Sequence, residues 1–175
     1  MTSSHLYRLK GHCFRGWLAT AMALVLPLSA SAADDPESDP PLSYVPESVW
    51  INPGELSYHF NRSAGYREDN WGFGAQLNYS HNLALLGGTF INSDRQRSHD
   101  FGILWQPCAI GPVKLGGVVG AFDGYPYMEH GAWFPAALPM ASVAYERFGA
   151  NLTVVPNYKN RLHGAVVVQF IFKVW

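Results

Sequence analysis

Residues 138–156, LPMASVAYERFGANLTVVP, decide how the rest of the chain is read. They form two short alternating runs folded back on each other at Phe148-Gly149, and each run carries a proline at the end away from the turn. Pro139 and Pro156 are therefore expected near the same end of a hairpin. Proline gives no N–H to a ladder, so paired prolines open a gap in the hydrogen bonding of a sheet. In a closed barrel surrounded by lipid, an unsatisfied backbone group costs several kcal/mol, so such a gap reads as a side opening.

Upstream, Arg8, Lys10 and Arg15 precede an apolar run from Trp17 to Leu28, and Ala30-Ser31-Ala32 follows. This is the pattern of an export signal over residues 1–33, and its apolar core is too short for a membrane-spanning helix. The chain expected to remain keeps nine of the 12 Lys and Arg and all 13 Asp and Glu, a formal charge of −4. Nothing in that balance suggests nucleic acid. Cys13 lies in the signal, which leaves Cys108 alone and excludes an internal disulfide. No later run approaches 18 apolar residues, so a membrane location requires strands.

Residues 34–54 are acidic and proline-rich at first and read as a periplasmic lead. From residue 55 the pattern has period two. Leu56, Tyr58 and Phe60 alternate with Glu55, Ser57 and His59, and Trp71, Phe73, Ala75, Leu77 and Tyr79 alternate with Gly72, Gly74, Gln76, Asn78 and Ser80. Further strands are expected over Leu83 to Phe90, Phe101 to Gln106, Lys114 to Phe122, the two arms of the hairpin, and Leu162 to Trp175. A polar loop is expected over Ile91 to His99 and a short turn around Cys108 to Pro112. The fold class is all-β: an eight-stranded antiparallel outer-membrane β-barrel over residues 55–175, with short turns on one side and long loops on the other. A soluble lipocalin-like barrel would carry its apolar face inward, and the glycine-rich polar face of the second strand argues against it.

Arg62, Arg67, Arg95, Arg97, Lys159 and Arg161 fall in three of the expected outer loops, where they would face lipopolysaccharide phosphates. Any barrel of this kind places some cations there. His59, His81, His99, His130 and His163 show no ligand spacing, so no metal is expected.

The hairpin, with Tyr66, Trp71-Gly72-Phe73-Gly74, Trp105-Gln106-Pro107, Leu115-Gly116 and Gly120, resembles the lipid A palmitoyltransferase (PagP) family. The likeness covers most of residues 55–175 and is strongest over LP-x-ASV-x-Y. It implies an enzyme that moves an acyl chain, palmitoyl in the family, from a glycerophospholipid to lipid A, working as a monomer without a cofactor. The donor would enter between Pro139 and Pro156, and its tail would lie in an apolar lumen. The family's outer-rim histidine corresponds to His59, a general base on a lipid A hydroxyl. Its aspartate–serine pair corresponds to Asn92 and Ser93. Asparagine holds no charge, although it can donate to a carbonyl or oxyanion. Asp94 follows, but strand alternation would aim it away from Ser93. The glycine that sets the family's acyl-pocket floor corresponds to Gly102, or Leu104 stands in its place and shortens the tail accepted.

Two other readings remain at this point. A lipid A deacylase would also use histidine and serine, but its His-x-Ser-Asn strand pairing is absent. A non-catalytic lipopolysaccharide-binding barrel would tolerate Asn92, but needs no lateral gap.

Overall fold

The computed structural model describes residues 44–159 and 161–175. The expected signal and residues 34–43 of the expected lead lie outside the described residues. The chain is a closed barrel of eight antiparallel strands, β1 Ser48–His59, β2 Asp69–Asn78, β3 Leu83–Ile91, β4 Arg97–Ile110, β5 Val113–Phe122, β6 Phe134–Tyr145, β7 Phe148–Val155 and β8 Ala165–Lys173. Each strand pairs with its chain neighbour, and β1 closes the ring on β8. The turns β2–β3, β4–β5 and β6–β7 are short and share one end with both strand termini. The longer connections lie at the other end, as the sequence reading expected.

Alternation also sorts the faces as expected. Trp71 and Phe101 are about 60% exposed on the outside, while Ser57, Gln76 and Leu104 are buried inside. An outward face of large apolar side chains is compatible with a membrane location.

Two boundaries differ because proline sits at a bulge. The first strand begins at Ser48, inside the expected lead, and runs through Pro53-Gly54 with a register shift against both β2 and β8. Gly54 has φ 107°, and a Cβ there would lie 2.3 Å from the Asn70 carbonyl oxygen, so only glycine fits. Likewise β4 continues through Pro107 and Cys108 to Ile110, where a turn was expected, with a register shift between Trp105 and Cys108. Bulges let a strand carry a proline without losing its ladder.

The hairpin turn lies at Glu146-Arg147, not Phe148-Gly149: Tyr145 pairs with Phe148, and Glu146 takes φ 53°. The β6–β7 ladder then stops at Met140↔Thr153. On its other side β6 stays paired with β5 from Phe134 to Val143, so residues 134–139 have a partner on one side only. Continued, the register would set Pro139 opposite Val154 and Pro156 opposite Ala137. The two prolines flank one gap without facing each other.

The interior is layered. At the short-turn end, amides and a hydroxyl form a connected hydrogen-bond chain across the lumen. Gln106 Nε2 donates to Ser142 Oγ (2.9 Å), Ser142 Oγ to Asn151 Oδ1 (2.7 Å), and Asn151 Nδ2 to Gln76 Oε1 (3.1 Å) and Gln169 Oε1 (3.1 Å). Above it Ala84, Leu104 and Val118 pack with Leu86, Leu138 and Met140 as an apolar layer. A cavity of about 130 Å³ lies above that layer and reaches the long-loop end.

Candidate functional site

His59 ends β1 on its inward face and is only 4% exposed. Its Nδ1 is buried and has no hydrogen-bond partner. Barrel closure sets His59 against Ala165, and this brings His163 to the same rim from the far end of the chain. Tyr66, from the β1–β2 loop, lies between the two imidazoles, its ring centroid 4.8 Å from His59 and 4.7 Å from His163. Two histidines that looked scattered in sequence therefore share one aromatic stack. Burial and the nearby Asp94 hold the Tyr66 phenol above its ordinary pKa, so it remains a hydrogen-bond donor at neutral pH.

The β3–β4 loop is much tighter than expected, and Asn92 is the reason. Asn92 is fully buried; its Nδ2 donates to Ser98 Oγ and to the Gly124 carbonyl, both at 2.8 Å. Its Oδ1 accepts from the Asp94 N–H (2.9 Å) and the Gln96 N–H (3.0 Å), while Arg95 takes φ 62°. Every hydrogen-bonding group of the amide is used in holding the turn. Asn92 is not among the residues that line the cavity, and its amide anchors the turn.

Ser93 and Asp94 both line the cavity with His59, Tyr66 and His163. The expectation that Asp94 points elsewhere assumed strand alternation, but residues 93–94 sit in the turn, where that rule does not operate. Burial raises the Asp94 carboxyl above the ordinary aspartate range, against the pull of His163 and His59. Two carboxylates, Glu68 and then Asp94, act electrostatically on His59. Sequence reasoning missed Tyr66, Asp94 and His163 as one group; the turn chemistry of Asn-Ser-Asp was the available signal for Asp94.

Both acyl-pocket candidates, Gly102 and Leu104, belong to the inward face of β4. Leu104 is 1% exposed in the apolar layer and borders the smaller space at the short-turn end, so it stands at the cavity's lower limit. Gly102 lies one inward position higher, where a Cβ would meet Val118 Cγ2 at 2.9 Å.

The six loop cations divide. Arg62 pairs with Glu68 and covers the Tyr58 ring, Arg67 pairs with Asp69 (3.1 Å), and Arg161 pairs with Glu129 (3.8 Å) and alone of the six lines the cavity. Arg95 donates to the Gly65 carbonyl (3.2 Å), Arg97 to Thr89 Oγ1 (3.3 Å), and Lys159 lies over the Tyr158 ring (5.4 Å).

No family model matches the chain, and no curated protein does. Among solved structures it is similar to one described as the solution NMR structure of the de novo designed TMB2.3, at 12% identity and a TM-score of 0.49, over 75% of this chain and 98% of that one.

Proposed function

We propose that this barrel is an outer-membrane acyltransferase that moves an acyl chain from a glycerophospholipid to lipid A. The observation that carries the reading is the unpaired stretch between β6 and β7 beside a cavity with an apolar lower layer and a rim of His59, Ser93 and Asp94. A lipid tail can pass sideways from the bilayer through such a gap, whereas a surface binder has no use for one.

In this reading His59 takes the proton from a lipid A hydroxyl as its oxygen attacks the donor's ester carbonyl. The Ser93 hydroxyl donates to the oxyanion that develops. When the intermediate collapses, the acyl–glycerol C–O bond breaks, the acyl–lipid A C–O bond remains, and His59 returns its proton to the departing lysophospholipid oxygen. Asp94 stabilises the intervening imidazolium. Arg95, Arg97 and Lys159, which form no ion pair among the described residues, are the cations best placed to meet lipid A phosphates.

The test is mass spectrometry of lipid A from cells lacking and then expressing the protein, beside His59→Ala and Ser93→Ala. A gain of one acyl mass, lost in both variants, is expected. No change with a folded barrel sinks the proposal in favour of a lipopolysaccharide binder, and a loss of acyl mass points to a deacylase.

A further inference from the structure

The cavity has two unlike walls. On the β5–β8 side it is lined by Val118, Phe122, Phe134, Leu138 and Val167. On the β1–β4 side lie Glu55, Ser57, Asn70 and Asp100, with glycines between them and Leu86 and Phe90 at their edge. Asp100 pairs with Gly88, and Gly88 with Gly74. A Cβ on Gly88 would come within 3.3 Å of Asp100 Oδ1 and 2.9 Å of the Gly74 Cα, so the missing side chains make room for the carboxylate.

On the polar wall acceptors outnumber donors: the Tyr125 hydroxyl lines the same cavity and the Asn70 amide bonds Glu55, against two carboxylates and an amide oxygen. Asn70, 2% exposed and paired with Glu55 across β1–β2, gives its Nδ2 to Ser57 Oγ (3.2 Å), and its Oδ1 is buried without a partner. Glu55 and Asp100 line the same cavity, and neither forms an ion pair among the described residues. The cation that shares the cavity, Arg161, is turned to Glu129. Carboxylates and an amide oxygen accept; an ammonium supplies three N–H donors and the opposite charge.

We propose that Glu55, Asn70 and Asp100 form a binding site for the primary ammonium of an amphiphile whose hydrocarbon lies on the opposite apolar wall and leaves through the β6–β7 gap. The path is continuous: Asp100 pairs with Phe122, and Phe122 with Phe134, the first residue of the β6 stretch that has no β7 partner. A buried, hydrogen-bonded charge pair favours the charged ligand over its neutral isostere, because truncating either partner leaves the other unpaired. The site shares the cavity with His59 and Ser93 but uses other residues, and it does not require that acyl transfer occur.

The experiment compares decylammonium and decanol binding by calorimetry to the full barrel in uncharged phospholipid vesicles, with empty vesicles subtracted, at neutral pH. Decylammonium is expected to bind at least about tenfold more tightly than decanol. Glu55→Gln and Asp100→Asn, isosteric and checked for the folded barrel by circular dichroism, should each erase most of that preference and leave decanol unchanged. Equal affinities in the native barrel, or a preference that survives both substitutions, overturn the proposal. Because no turnover is measured, its failure is distinct from failure of the acyltransferase reading.

Discussion

At the scale of single residues, the contrast between Asn92 and Asp94 is the most informative. The family resemblance sets Asn92 at the place of a carboxylate, and its amide makes four hydrogen bonds that hold the loop. Asn92→Asp would therefore not improve the site: a carboxylate cannot donate to the Gly124 carbonyl or Ser98. We expect it to destabilise the barrel by about 2 kcal/mol or more, read from urea unfolding in vesicles, with no gain in transfer. Ser93→Ala, by comparison, should leave stability within about 0.5 kcal/mol while abolishing transfer. Asp94 carries a pH signature. Its folded carboxyl pKa is raised, so above about pH 4 the folded chain holds a proton that the unfolded chain has released, and stability falls as pH rises through that window. Asp94→Asn removes the group, so unfolding titrations should show the native barrel losing stability relative to the variant with rising pH. The variant's transfer rate should also lose the acid limb set by Asp94 ionisation. Ser93 was named from the family resemblance, and His59 was legible because strand period places it on the inward face at the end of β1. Asp94 was not, because a turn obeys dihedral chemistry rather than alternation.

At the scale of elements, the prolines separate two roles that look alike in sequence. Pro53 and Pro107 sit at bulges inside continuous strands, whereas Pro139 and Pro156 flank the place where the β6–β7 ladder ends. The difference lies in the neighbours: Gly54 can adopt φ 107° and let β1 resume its pairing, and nothing equivalent follows Pro139. If this gap admits the donor, bridging it must stop the reaction. Ala137→Cys with Pro156→Cys, in a Cys108→Ser background, joins the positions that the continued register sets opposite each other. Oxidation should abolish transfer and reduction restore it; activity that persists in the oxidised barrel would show that the donor takes another route.

At the scale of the whole molecule, the proposed function makes Leu104 the limit on the length of chain that the closed lumen accepts. It is almost wholly buried in the layer between the cavity and the polar network. Leu104→Ala should cost about 2–5 kcal/mol of stability and shift the transferred acyl chain to a greater length, visible as heavier lipid A in the same mass spectra. Substituting Gly102 should act in the opposite sense, since any side chain there meets Val118. The sequence by itself determined the strand number, the apolar outer face and the ends at which loops and turns lie, because period-two alternation and turn residues are local properties of the chain. Only the tertiary structure decided that His59, Tyr66 and His163 stack, that Glu55 and Asp100 share one wall, and that β6 parts from β7. Those relations depend on ring closure between β1 and β8 and on the register of each pair, and such contacts join residues too far apart in the chain for any local pattern to encode.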